Sequence, residues 1–282
     1  MGVVLVTGAT RGIGRAGAVE LARRGVEVAV VGRDAARVAE TAAEARAAGG
    51  GAPVHEHVAD LQRLDEVRRL GAEVLDRHRG LDVLVNNAGA MFTQRRVTPD
   101  GLEQTLALNH VAPFLLTQLL LPRLTENGPA RVVTTASDAH KGGHPDLDDL
   151  QWERRPYRAM AVYGTTKLYN ILFTRELARR AAGTGVTATC LHPGVVRTGF
   201  GKNDGLVWRA MLTAASPFLR TPAKGARSLV FLAADPAAAQ LSGAYVVDER
   251  VAEPSAAARD DVLAAALWER TQALCRLPAA PA

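Results

Sequence analysis

Apolar residues in this chain fall into short continuous runs separated by stretches with helical spacing. Val3–Val6 is the kind of run that forms a strand buried on both faces, and Gly14–Arg24 after it repeats apolar positions at helical intervals. The alternation continues with a strand over Val26–Val31, an Ala-rich helix over Ala35–Ala48 closed by Gly49-Gly50-Gly51, a strand over Val54–Val58, a helix around Leu64–His78 and a strand over Leu81–Val85. Helices are predicted near Pro99–Leu108 and Val111–Leu124, a strand over Arg131–Ala136, a long helix near Val162–Ala182 and a strand over Val186–Leu191. Short apolar strands alternating with helices predict βαβ units, a parallel sheet and helices on both faces. Right-handed crossovers make that sheet doubly wound. No internal repeat and no Ser/Pro-rich linker interrupts the pattern, so one domain over 1–282 is expected, with a helical tail at about 255–277.

Composition narrows the class. Hydrophobic content of 48% and charged content of 22% suit a globular enzyme and exclude a disordered chain. The longest apolar run, Pro113 to Pro122, is broken by Thr117 and Gln118 and is too short to span a membrane. Val3–Thr7 has no basic segment before it, so no signal peptide is expected. Cys190 and Cys275 form no CxxC, which suits a reducing compartment, and a cytoplasmic location is expected. The 34 Lys+Arg against 29 Asp+Glu include only four lysines, a bias that reads as high-GC coding. The arginines occur in scattered pairs near acids, with no basic block or aromatic-interleaved patch, so no nucleic-acid partner is expected. His55-Glu56-His57 puts two rings on one strand face without a third ligand nearby in sequence, and no metal site is expected.

Candidate chemistry gathers where strands end. Thr7-Gly8-Ala9-Thr10-Arg11-Gly12-Ile13-Gly14 lies between the first strand and a helix, where glycines let backbone amides approach a pyrophosphate. The second strand ends in Gly32-Arg33, where sites for NAD place a carboxylate for the ribose hydroxyls. Arg33 and Arg11 are each compatible with an ordinary solvated side chain; together, with no carboxylate at Gly32, they favour the 2′-phosphate of NADPH. Asp34 reads as a helix N-cap. Asp60-Leu61 follows the third strand and Asn86-Asn87-Ala88-Gly89 the fourth, at carboxyl ends where open sheets bind ligands, although the second could also be a plain loop of left-handed conformers.

These residues, with Ser137, Tyr163-x-x-x-Lys167 and Pro193-Gly194, resemble the short-chain dehydrogenases/reductases over nearly the whole chain. The branch most similar is the retinol-dehydrogenase-like and protochlorophyllide-reductase-like group, through Leu108-Asn109-His110, Ser137-Asp138-Ala139-His140, Lys167-Leu168-Tyr169-Asn170, Leu191-His192-Pro193-Gly194 and Leu267-Trp268. Membrane-bound members of that branch carry an N-terminal hydrophobic anchor, whereas this sequence opens on its first expected strand.

The resemblance implies a Rossmann-type α/β fold and these roles. Gly8, Thr10, Arg11, Gly12, Ile13 and Gly14 would hold the diphosphate, and Arg33 the 2′-phosphate. Asp60 and Leu61 would contact adenine, and Asn87, Ala88 and Gly89 the adenosine ribose. Pro193, Gly194, Val196 and Thr198 would surround the nicotinamide, and Asn109, Ser137, Tyr163 and Lys167 would be catalytic, with Tyr163 and Lys167 also meeting the cofactor. One departure is Ala136, where relatives often have a second Ser before the catalytic one.

The chemistry of the four is coherent. Tyr163 is the natural proton donor to a carbonyl oxygen that gains charge, and a free phenol titrates at about 10. Lys167 lies four residues on, on the same helical face, and is expected to lower that value toward neutrality. Ser137 would donate to the oxygen, and Asn109 would hold a water linking Lys167 to solvent.

His140, His144 and His192 lie near the expected rim of the site and read as structural. The 25 residues between Ser137 and Tyr163 predict a loop with one short turn at the pocket edge. A covering segment is expected over about 199–220, with Trp208, Met211, Leu212 and Phe218 favouring a sizeable hydrophobic carbonyl compound. The expected function is an NADPH-dependent ketoreductase acting in secondary metabolism. The alternatives are a retinol-type alcohol dehydrogenase with NADP⁺ and a catalytically silent nucleotide sensor. A homodimer through the helices after the fourth and fifth strands fits the resemblance.

Overall fold

The computed structural model describes residues 2–196 and 219–277. One sheet holds strands β1 (Val3–Thr7), β2 (Val28–Gly32), β3 (Val54–Val58), β4 (Leu81–Asn86), β5 (Ala130–Thr135), β6 (Val186–His192), β7 (Tyr245–Val247) and β8 (Arg250–Ala252). Their order is β3-β2-β1-β4-β5-β6-β7-β8, parallel throughout except for the β7–β8 hairpin. The order reverses between β1 and β4, which opens a crevice beyond their carboxyl ends.

The helices are α1 (Gly12–Arg23), α2 (Ala35–Ala48), α3 (Leu64–Arg77), α4 (Gln104–Leu106), α5 (Ala112–Glu126), α6 (Ala159–Arg180), α7 (Pro222–Ala234) and α8 (Asp261–Leu274). Alternate side chains of the strands feed two cores. Val4 and Val6 of β1 pack with Val28 and Val30 under α1, α2 and α7, while Val3 and Leu5 pack with Leu70, Leu115 and Phe173 under α3, α5 and α6. Asp34 caps α2 by accepting from the Arg37 N–H, as its position predicts.

The predicted helix near Pro99–Leu108 is replaced at its start by a turn. The Thr98 N–H bonds the Leu102 carbonyl, Gly101 is left-handed at φ +80°, and helix begins only where the Glu103 carboxylate accepts from Thr105 and Leu106 N–H. It then runs through a π-helical stretch, Ala107–Val111, straight into α5. By length and composition Gln104–Glu126 could cross a membrane, but 72% of that stretch is buried within the fold. β7, β8 and α7 extend the pattern beyond the elements read from sequence.

The tail is helical as expected. Trp268 of α8 stacks on Phe173 of α6 (5.9 Å, 18°), meets Phe114 of α5 edge-on (4.8 Å) and carries the Arg180 guanidinium 4.6 Å over its ring. At the opposite side of the sheet, β3 is an edge strand whose outward carbonyls are taken by arginines. Arg46 donates to the Val54 oxygen at 2.8 Å, Arg77 to that of Glu56 at 3.3 Å and Arg69 to that of Val58.

His55 and His57 share a strand face, and a residue 21 positions on, His78, joins them. His57 Nε2 and His78 Nε2 lie 2.8 Å apart, His57 Nδ1 is 2.9 Å from Glu73, and His55 Nε2 is 2.6 Å from Glu27. Among the described residues no group of three or more His, Cys, Asp or Glu is placed to hold a metal. Burial pushes His78 down to about 4, helped by the neighbouring histidines, and lowers His57 against the pull of Glu73. Because the folded values lie below the unfolded one, the neutral pair stabilises fully above pH of about 6.5, and that contribution fades as pH falls toward 4. Thermal stability is expected to drop by up to about 3 kcal/mol between pH 7 and 4, and His78→Gln should flatten that slope in melts across the range.

Candidate active site

The crevice is built from the strand ends inward. Thr7, buried at the end of β1, accepts from the Asn87 and Ala88 N–H groups at 3.0 and 3.1 Å and donates to the Val85 oxygen at 3.1 Å. This one hydroxyl, unassigned by sequence reading, locks the Gly-rich turn to the Asn87-Ala88-Gly89 loop. Two glycines of the turn leave no room for a side chain: Gly8 is left-handed (φ +63°), and a Cβ on Gly14 would sit 2.4 Å from both Asn87 Nδ2 and the Gly8 oxygen. Gly32 is equally crowded, by Thr10.

The α1 N-terminus has no side-chain cap, so its first amides are open to an anion. Arg11 and Arg33 flank it, both exposed, and neither makes an ion pair with a described residue. A cradle that excludes Cβ atoms, uncapped amides and two uncommitted guanidinium groups fit a dinucleotide carrying a 2′-phosphate. Asp60 accepts from the Gln62 N–H at 3.1 Å and lines a cleft of about 330 Å³ with Arg63, Arg96 and Gln104, while Leu61 is buried beside it.

Deeper in the crevice the four predicted residues come together. Tyr163 and Lys167 project from one face of α6, with the Lys167 Nζ 5.6 Å from the Tyr163 ring centre. Gly89 lies against the next pair, since a Cβ there would be 3.2 Å from Asn109 Oδ1 and 3.3 Å from Lys167 Nζ. Ser137 follows β5 and caps the turn Asp138–Gly142; its Oγ accepts from the Ala139 N–H at 3.2 Å, which leaves its own O–H to donate. Gly164 allows the approach: a Cβ there would strike the Ala139 oxygen at 2.6 Å, so glycine next to Tyr163 lets α6 rest on the Ser137 turn. A glycine inside a helix is the sequence signal that was available for this.

The electrostatics differ from the sequence expectation. Burial pushes the Tyr163 phenol up to about 12, opposed by its hydrogen bond with Ser137. Burial brings Lys167 down to about 8, and its ammonium donates to the Thr135 carbonyl at 2.9 Å. The Lys167 Nζ stands 5.6 Å from the ring centre, and burial is what dominates the phenol in this geometry. Asn109 ties down the loop beside Gly89. Its amide accepts from Ala90 N–H and donates to Ala90 O (2.8 Å each) and Thr166 Oγ1 (3.0 Å), so its side chain fixes the loop beside the site.

The histidines are structural, as expected for their positions. His140 bonds the Ser137 oxygen through Nδ1 (2.7 Å) and accepts from the Ser255 N–H through Nε2 (3.0 Å), and His192 Nδ1 accepts from the Asp138 N–H at 3.1 Å. A cavity of about 450 Å³ opens alongside, lined by Ala139, Gly142, Arg158, Met160 and Ala161. Pro193, Gly194 and Val196 continue from β6. Thr198 and the expected covering side chains Trp208, Met211, Leu212 and Phe218 lie outside the described residues.

The sequence pattern of the short chain dehydrogenases matches residues 2–206, nearly the full span of this crevice. The chain belongs to the short-chain dehydrogenase family. Within it the chain falls in the retinol-dehydrogenase-like branch. It is 44% identical over 270 residues to a protein described as a daunorubicin C-13 ketoreductase of Streptomyces sp. (strain C5), covering 96% of this chain and 91% of that one. It is 37% identical to human retinol dehydrogenase 13, covering 98% and 85%. An uncharacterised protein of Mycobacterium paratuberculosis superimposes with a TM-score of 0.80 at 34% identity, covering 98% of this chain and 94% of that one. This short-chain dehydrogenase is therefore an oxidoreductase of CH–OH and C=O groups that uses a nicotinamide cofactor.

Proposed function

We propose that this short-chain dehydrogenase reduces hydrophobic ketones or aldehydes with NADPH. The observation that carries the reading is the convergence of Ser137, Tyr163 and Lys167 beside an open, mostly apolar cavity, with the phenol held protonated. When bound, the reduced nicotinamide supplies a hydride to the carbonyl carbon. Ser137, whose O–H is directed at Tyr163, would turn it to orient the carbonyl oxygen, and Tyr163 would give its proton to that oxygen as charge builds there. Lys167 stands close enough to Gly89 to hold a ribose hydroxyl with a remaining N–H donor. Held protonated at physiological pH, Tyr163 can serve as the proton donor that reduction needs. The same direction is carried in the name of the Streptomyces relative.

Consumption of NADPH against carbonyl compounds graded from small aldehydes to polycyclic ketones tests the reading. Turnover rising with apolar bulk supports it, whereas NADPH binding without turnover of any of them would return weight to a nucleotide sensor. The cofactor preference has its own test. Each charge-assisted contact to a phosphate is worth about 1.5–3 kcal/mol, so Arg11→Ala with Arg33→Ala should raise KM for NADPH about 100-fold and leave KM for NADH nearly unchanged. Equal losses with both nucleotides would show that neither guanidinium reads the 2′-phosphate.

A further inference from the structure

The turn between β7 and β8 carries one residue that is unusual for its shape, Glu249. Its two central positions, Asp248 (φ +51°) and Glu249 (φ +63°), are both left-handed, where a two-residue hairpin favours Asn and Gly. A glutamate there is strained, and strain of this kind persists where the side chain has a task.

Both carboxylates are in use. Asp248 receives two guanidinium nitrogens of Arg220, Nη1 and Nη2, the second at 2.9 Å. Glu249 receives Nε and Nη2 of Arg227 at 3.3 and 2.6 Å, and its own N–H donates to Ser228 Oγ at 3.1 Å. The hairpin thus grips α7 at Arg227 and the segment leading into it at Arg220, through two forked ion pairs.

Arg220 in turn lies on the chain that leaves β6. Its N–H donates to the Val195 oxygen at 2.9 Å, and it forms a parallel bridge with Val196. Its side chain runs across Gly194, so closely that a Cβ on this left-handed residue (φ +79°) would lie 2.6 Å from both Cδ and Nε of the arginine. Gly225 of α7 closes the other side, where a Cβ would meet Val196.

We propose that Arg220, fixed by Asp248, is a positioning residue that sets the Pro193–Val196 turn against the nicotinamide end of the cofactor. This rests on the reading above that the turn borders the nicotinamide. The guanidinium acts as a brace rather than a phosphate ligand, because its forked pair with Asp248 already compensates its charge. Glycine at position 248 would suit the left-handed φ but release the brace.

That contrast supplies the experiment. NADPH affinity is measured by titrating the protein's effect on cofactor fluorescence, and stability by thermal melts, for the wild type and for Asp248→Gly, Asp248→Asn and Arg220→Gln. Asp248→Gly should melt near the wild-type temperature, since the fit of glycine to this φ offsets its added freedom in the unfolded chain, yet bind NADPH about tenfold more weakly. Asp248→Asn and Arg220→Gln should lose the same factor, and the double variant Arg220→Gln/Asp248→Asn should lose no more than either alone. Unchanged affinity in the variants, or affinity and melting temperature falling together in Asp248→Gly, would overturn the brace while leaving the cofactor reading intact. A wild-type chain that fails to bind NADPH would overturn both.

Discussion

Tyr163→Phe should lower kcat for ketone reduction by about 10²–10⁴-fold while NADPH still binds, because general acid catalysis by a positioned side chain contributes about that much. The change deletes one oxygen from a ring that keeps its place on α6, and the hydrogen bond with Ser137 goes with it. Lys167 remains on the Thr135 carbonyl, a contact that owes nothing to the phenol, so the cofactor side of the crevice is undisturbed. The expected pattern is a collapse of kcat with little change in the affinity for NADPH. Stopped-flow single turnovers with excess enzyme would separate the chemical step from product release. Near-wild-type turnover would remove Tyr163 from the reaction, and a parallel loss of NADPH binding would mean that the ring, not the proton, was being tested.

The second large effect concerns stability. Trp268→Ala should destabilise the protein by about 3–5 kcal/mol, the range for truncating a buried aromatic. Trp268 is 5% exposed and joins α5 and α6 through Phe114 and Phe173, so its loss leaves a void that the surrounding helices cannot close. The contact with Arg180 adds a cation–π attraction on the outer side of the ring. In denaturant unfolding the midpoint should fall clearly, Trp268→Phe should recover part of the loss, and Arg180→Ala alone should cost about 1 kcal/mol or less. A loss under about 1 kcal/mol for Trp268→Ala would show that α8 is peripheral to the core.

The parts of the fold that were legible in sequence are those where one periodicity dominates. β1 and β2 are continuous apolar runs, and α2 and α3 lie where helical spacing and flanking glycines place them. What was hidden depends on contacts distant in the chain. Glu103 decides where α4 starts because its carboxylate is buried and takes the first helical amides, whereas the apolar pattern alone began the helix at Pro99. β7 and β8 are three residues each, too short for any alternation to register.

In the site, Ser137 and Tyr163-x-x-x-Lys167 were legible from their places along the chain and Asn109 through the family resemblance; the structure brings Asn109 and Lys167 together at Gly89 and Tyr163 beside Lys167. Their supports were not. Thr7, Thr166 and Gly164 act through neighbours 78 to 81, 57 and 25 positions away, separations that one sequence does not reveal. The electrostatics were misread for a related reason. Spacing put Lys167 beside Tyr163 but could not show that burial would dominate the phenol.

The arginines along β3 carry one more consequence. An edge strand normally offers every second carbonyl to any extended chain that drifts past, and copies of the same protein are the most abundant such chains in a cell. Here the Val54, Glu56 and Val58 oxygens are already occupied by Arg46, Arg77 and Arg69. Each guanidinium also reaches a glutamate of the same surface, Glu56, Glu73 or Glu66, which holds it over the backbone. A newcomer would have to displace one charged cap for each of these carbonyls it bonded, which disfavours fibre-like self-association along this flank of the sheet. The arginine excess that composition alone assigns to coding bias thus has a colloidal use, written in the planar fork that lysine does not possess.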